Sequence, residues 1–185
     1  EEQIADYKPY NEQEAHDQAV MRQLLATQPD LFTRENQVVH MTASSWLLNA
    51  THDKVLMIYH NIYHSWAWTG GHADGDRDLL AVAKREAMEE TGVTEIRTIS
   101  EDIFSLEILT VDGHEKRGVY VPSHLHMNVT YLLEADDRDA LSVCEEENSG
   151  VAWFALDDAL KVSTEPWFVE RIYKKLNDKL KTMQF

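Results

Sequence analysis

The order of patterns along the chain predicts an α/β fold with a mixed sheet held between helices. Three observations carry that expectation. Apolar runs rich in β-branched and aromatic residues at 38–48 and 54–60 read as strands. A glycine-rich loop at 70–75 feeds a segment with helical periodicity. Further alternating segments follow, and an amphipathic stretch at 165–183 closes the chain.

Taken in order, residues 1–10 are polar, contain Pro9 and read as an arm. Asn11 offers a helix N-cap, with Glu14 placed as the far half of a capping box. Val20, Leu24 and Leu25 form an apolar stripe, and Pro29-Asp30 ends the helix. Residues 1–36 are therefore expected to be an arm and an added N-terminal helix packed on the core, and residues 37–185 the main domain. Gln37 to Asn49 and Lys54 to His60, joined by a turn at 49–53, predict a hairpin. Residues 61–69 are aromatic-rich. After the central helix, Thr94 to Val111 reads as one long strand region, 112–119 as a polar mobile loop, and Pro122 to Ala135 as a strand. Val151 to Leu156 predicts a short strand, Asp157 the start of a small helix, and Phe168, Ile172, Leu176 and Leu180 the buried stripe of the last helix.

The length of 185 residues suits one domain with a full core. No apolar run approaches the roughly 18 residues needed to span a bilayer, and no signal-peptide pattern opens the sequence. The single cysteine, Cys144, cannot form an internal disulfide, and nothing gives it a catalytic partner. These readings predict a cytoplasmic protein with no membrane partner; the oligomeric state is open, a homodimer included. The formal net charge of -16 excludes a nucleic-acid polymer as partner, since such binding rests on Lys and Arg neutralising phosphates. A small phosphorylated substrate remains compatible if cations supply the positive charge.

The chemistry concentrates between Gly70 and Val93. Glu86, Glu89 and Glu90 are three and four residues apart or adjacent, so they share one side of the helix. At about 100° per residue, Leu79, Val82 and Ala83 lie on the stripe of Glu86 and Glu90. Acids crowded on a stripe that is buried one turn earlier need a cation among them. Carboxylate oxygens suit Mg²⁺, with Mn²⁺ the second choice. A solvated acidic helix end, with Arg85 paired to Glu89, explains the same letters without a metal.

Arg85-Glu86, Glu89-Glu90 and Gly92-Val93, with Gly71 fourteen residues before Arg85, resemble the signature box of the Nudix hydrolases. Trp153-Phe154-Ala-Leu-Asp is similar to a late segment of that family. Two positions depart. Arg77 stands where the family has its early Glu, and Ala87 replaces a larger aliphatic. The missing Glu would hold Arg85; Asp78 is expected to take that role, with Asp76 the alternative.

The resemblance implies a Nudix-type α/β/α sandwich with a mixed β-sheet, and a metal-dependent hydrolase of a diphosphate linkage in a nucleoside diphosphate joined to another moiety. It implies Glu86, Glu89 and Glu90 as metal ligands with the Gly71 carbonyl, Glu86 or a loop acid as the base, and Arg85 orienting the acids or meeting phosphate. Of the acidic run Glu145, Glu146 and Glu147, the last is the first choice for that loop acid. His124 and His126 share one strand face; they fit phosphate contact or acid–base work, but without a third His or Cys they are too few for a zinc site. Tyr63, Trp66 and Trp68 suit core packing or stacking on a base. Two other functions fit the same fold: a non-catalytic nucleotide-sensing module, and an isoprenoid diphosphate isomerase, which would need an activated Cys and a histidine metal cluster that the sequence does not display.

Overall fold

A computed structural model describes residues 2–116 and 118–183. Two helices open it, α1 (Glu2–Asp6) and α2 (Glu12–Thr27). The sequence reading of 1–10 as a plain arm is corrected: Ile4 is buried and turns α1 into part of the core. Asn11 caps α2 as expected, accepting from the Glu14 N–H at 2.9 Å. The buried stripe is shifted, because Met21 is fully buried while Val20 is 45% exposed.

Next come β1 (Val39–Leu48), β2 (Lys54–His60), β3 (Ser65–Ala67) and β4 (Thr69–His72), then α3 (Leu79–Thr91). The expected hairpin exists, but β1 and β2 meet only near Leu48 and Val55. β1 pairs antiparallel with β4 along Thr42–Ser45. The aromatic-rich residues 61–69 thus contain β3 and the first residue of β4. α3 is capped by Asp78, whose side chain accepts from the Ala81 N–H, and it ends at Gly92, where φ of +77° favours glycine.

The region 94–111 is not one strand but two, β5 (Arg97–Thr98) and β6 (Ser105–Val111). The segment read as a polar loop forms a separate hairpin, β7 (His114–Lys116) and β8 (Val119–Val121), with Arg117 outside the described residues. The chain then runs through β9 (His124–Glu134), β10 (Asn148–Ala155) and α4 (Leu156–Val162). The last helix begins as α5 (Pro166–Phe168), passes a π-helical turn (Val169–Tyr173) and continues as α6 (Lys174–Thr182).

The main sheet has eight strands among the described residues, with β10, β2, β1, β9 and β5 in order and β3, β4 and β6 paired at its sides. β1 and β9 are parallel over ten residues, from Val39 beside Leu125 to Leu48 beside Glu134. Every residue of β1 is buried, as expected for a central strand covered on both faces. On one face Val39, Met41, Ala43 and Leu47 pack with Met21 of α2 and Val82 of α3. On the other, Trp46 and Leu48 pack with Ile172, Leu176 and Leu180 of the last helix. This is the α/β/α sandwich that the sequence predicts.

A buried charged cluster ties α2 and the last helix to the sheet edge. Glu14 and Glu107 both approach the Lys175 ammonium, at 3.0 and 2.7 Å, and Lys179 lies 3.3 Å from Glu14. Tyr7 donates to Glu14 at 2.6 Å. Burial pushes the Glu14 carboxyl up, but Lys175, Lys179 and the hydrogen bonds from Tyr7 and Tyr10 outweigh it and hold it below its usual value.

Candidate active site

Successive residues of β1 point to opposite faces. On the face of Trp46 and Leu48, the positions nearer the start of the strand are His40, Thr42 and Ser44, which are buried but polar. The last helix covers the apolar half of this face. The polar half lines a cleft of about 610 Å³, within the usual range for small-molecule sites.

α3 and β4 supply the acidic side of the cleft. The Gly70 N–H donates to Glu90 Oε2 at 2.9 Å. A Cβ on Gly71 would fall 2.1 Å from Glu86 Oε2, so only glycine leaves room for that carboxylate. Glu86, Glu90, Gly71, Glu146 and Glu147 all line the cleft. Glu89 is exposed and lies outside the lining. Burial and the Glu89 charge raise the Glu86 carboxyl, against the opposing pull of Arg85. Burial raises Glu90 well above its usual value; the Gly70 amide opposes this, while Glu147, Glu86 and Glu89 add to it. Asn148 at the start of β10 donates to the Glu90 carbonyl at 2.9 Å, which brings the preceding acidic loop against the end of α3. Crowded acids that resist ionisation, around a glycine cradle that a Cβ would fill, fit a hard divalent cation with oxygen ligands.

The expectation for Arg85 is corrected in its partner. Asp78 is occupied in capping α3. Asp76 meets Arg85 instead, at 3.4 Å, and Glu86 lies 3.5 Å from the same guanidinium. Because Asp76 precedes the helix, the loop brings it back over Arg85, which helical spacing alone does not reveal. Arg77 turns away and stacks on Phe32, 4.6 Å from the ring centre.

The second side of the cleft is one that sequence reasoning missed. His124 and His126 do share a face, but they are not alone. β1 delivers His40 and β4 delivers His72, and one ring nitrogen from each of the four lies within 4.8 Å of the others. The reading that a third imidazole was lacking is therefore overturned. His40 pairs with His126 in the parallel register, and Thr42 pairs with His72 across β4. His72 follows the double glycine directly, a hint that means nothing until the sheet register is known. Burial, then the neighbouring imidazoles His72, His40 and His124, lower His126 to about 2. Burial also lowers His40. Below this group the polar row continues: Thr42 and Ser44 donate to Asn128 Oδ1 at 3.0 and 2.8 Å, and Asn128 donates to Glu107 at 3.3 Å.

The third side is aromatic. Tyr63, Trp68 and Phe168 line the cleft. Trp68 is anchored, its ring in edge-type contact with Phe168 and Tyr173 and its backbone N–H donating to the Tyr173 hydroxyl at 3.4 Å. Trp66 instead packs against Tyr59 and Phe154 and does not line the cleft. Cys144 is also outside the lining.

Comparisons with known proteins agree with this geometry. The family model described as NUDIX domain matches residues 39–176. The chain is 26% identical over 116 residues to a bis(5'-nucleosyl)-tetraphosphatase (asymmetrical) of Rattus norvegicus, covering 62% of this chain and 72% of that one. Among solved structures, a C. elegans Ap4A hydrolase in a binary complex superposes with a TM-score of 0.57 at 20% identity, over 77% of this chain and 98% of that one. The Nudix hydrolase RenU of M. smegmatis gives 0.56 at 16% identity, over 79% and 88%. The MutT protein of Methanosarcina mazei Go1 gives 0.55 at 16%, over 76% and 94%. Box residues, sandwich architecture and family match converge: this chain belongs to the Nudix hydrolase family.

Proposed function

We propose that the chain hydrolyses a diphosphate linkage in a small nucleotide, one nucleoside diphosphate joined to another moiety, with Mg²⁺ as the preferred cation. The observation that carries this reading is the pair of half-buried and buried carboxylates, Glu86 and Glu90, set around Gly70 and Gly71 inside a cleft with an aromatic wall. Glu86, Glu89, Glu90 and the Gly71 carbonyl would hold the ion. Bound there, it would offset the phosphate charge and make water easier to deprotonate.

The chain's own groups then have distinct tasks. Glu86, or Glu147 from the loop, takes the proton of the attacking water. Water oxygen bonds to phosphorus, and the bridging P–O bond breaks with its electron pair leaving on the departing phosphate. Arg85, held by Asp76, keeps Glu86 in place or meets a phosphate oxygen. Tyr63 and Trp68 offer faces for a nucleobase. The similarity to proteins described as Ap4A hydrolase and bis(5'-nucleosyl)-tetraphosphatase supports dinucleoside polyphosphates as the first substrates to test. Residues 1–36 are proposed as an appendage to the Nudix domain of residues 37–185. The isomerase alternative gains its histidine cluster, but Cys144 is outside the cleft lining.

The test is a panel of dinucleoside polyphosphates, nucleotide sugars, ADP-ribose and nucleoside triphosphates with Mg²⁺, followed by product identification. Release of two phosphate-bearing products from at least one member is expected. Recovery of every compound intact, or rearranged with its diphosphate whole, would contradict the reading.

A further inference from the structure

We propose that His40, His72, His124 and His126 form a second metal site, one that takes a borderline transition cation of the zinc class on four imidazole nitrogens. It is chemically distinct from the carboxylate set beside it and does not depend on the hydrolase reading.

The tautomers carry the argument. His40 Nδ1 lies 2.9 Å from the Asn36 carbonyl, and His124 Nδ1 lies 2.8 Å from the Pro122 carbonyl. A carbonyl oxygen only accepts, so both Nδ1 atoms carry the proton, and both Nε2 atoms present a bare lone pair. This is the arrangement in which an outer hydrogen bond fixes a metal-binding imidazole. His40 is 4% exposed, and its Nε2 is buried with no hydrogen-bond partner among the described residues. Such an orphan is costly in a purely structural role and is resolved by a cation.

The spacing fits. Zinc–imidazole bonds of about 2.0–2.1 Å in a tetrahedron place ligand nitrogens roughly 3.3 Å apart. His124 Nε2 and His126 Nε2 already stand at 3.1 Å. His40 lies with ring centres 4.9–5.1 Å from those of His72, His124 and His126. The four ligand atoms sit within 4.8 Å of one another, so small side-chain torsions bring them onto one ion. Donor type sets the selectivity: imidazole favours Zn²⁺ and its neighbours, and Mg²⁺ favours the oxygens of α3. The ion would cross-link β1, β4 and β9 at the wall of the cleft.

The experiment uses the full chain, tag-free and stripped with chelator. Zn²⁺ is titrated in competition with a chromophoric chelator, and Co²⁺ is added separately as a spectroscopic probe. The expected result is one tight Zn²⁺ per chain and the intense visible absorption of four-coordinate Co²⁺. In His72→Ala and His126→Ala, affinity should fall by more than the about 10–100-fold that loss of an outer hydrogen bond costs. Glu89→Gln should keep both signals. His72 is only half-buried, so His72→Ala serves if His126→Ala fails to fold, with circular dichroism as the check. The proposal is overturned if the parent binds Zn²⁺ no better than folded His72→Ala, if Co²⁺ gives only weak six-coordinate absorption, or if the tight ion is lost in Glu89→Gln instead.

Discussion

Two donor sets lie side by side at one cleft, and they are built in opposite ways. The carboxylates of the oxygen set come from a single helix, where Glu86, Glu89 and Glu90 lie within five residues and only helical geometry is needed to bring them together. The nitrogen set comes from three strands, with His40 and His126 86 positions apart in the chain. It exists only because β1 and β9 run parallel in one particular register and β4 adds His72 beside Thr42. A site written on one element is visible in a string of letters; a site written across a sheet is visible only after folding.

The contrast can be broken most forcefully on the oxygen side. Glu89→Gln and Glu90→Gln keep shape and remove charge, and each should cut turnover by at least about 100-fold, the scale of losing one placed electrostatic contact. Melting temperatures in metal-free buffer should hold or rise, since a repelling carboxylate has been removed. Parent-like turnover in both variants would remove α3 from the chemistry.

The next effect falls on what braces the nitrogen side. The polar row beneath the histidines ends at Glu107, Lys175 and Glu14, all buried. Glu14→Gln leaves buried ammonium groups short of their counter-charge and should cost about 3–5 kcal/mol, read by denaturant unfolding. The pH sign follows from the depressed Glu14 carboxyl. Its contribution is complete above the unfolded carboxylate value of about 4.3 and is lost as pH falls through the lower folded value. The parent should therefore lose stability in acid faster than Glu14→Gln. Parallel acid profiles would show that this cluster carries little.

Gly71→Ala probes the seam between the two sets, because the new Cβ would collide with Glu86. Turnover should fall about 10–100-fold from a displaced acid, a scale consistent with misplacement by about 1 Å. Stability should change little; a parent-like rate would mean that Glu86 is not needed where it stands.

Smallest is the Arg85 support. Asp76→Asn removes an exposed ion pair worth at most about 1 kcal/mol, so the catalytic rate should drop by no more than about fivefold. Asp78→Asn keeps a good N-cap and should leave rate and stability unchanged. The reverse order would return the role to Asp78.

The same division explains what the sequence shows elsewhere. The Asn11 cap, the box helix and the buried stripe of Ile172, Leu176 and Leu180 are local patterns, and they fold as read. The break between β5 and β6 and the burial of Ile4 depend on partners far along the chain, and they escape local reading; the β7–β8 hairpin is local, and its polar residues conceal it. Glu14 shows both sides at once. Its place after Asn11 reads as a capping residue, yet its carboxylate accepts from Tyr10 N–H and Tyr7 and anchors Lys175 from the other end of the chain.

Hydrolysis is proposed to run on the oxygen set with a hard cation. The most direct measurement strips the full chain with chelator and follows cleavage of a dinucleoside polyphosphate as Mg²⁺ is returned, in the parent and in Glu90→Gln. No turnover is expected without metal, with saturable recovery on Mg²⁺ in the parent and no comparable recovery in the variant. Full turnover in metal-free buffer, or equal recovery in both proteins, would contradict it.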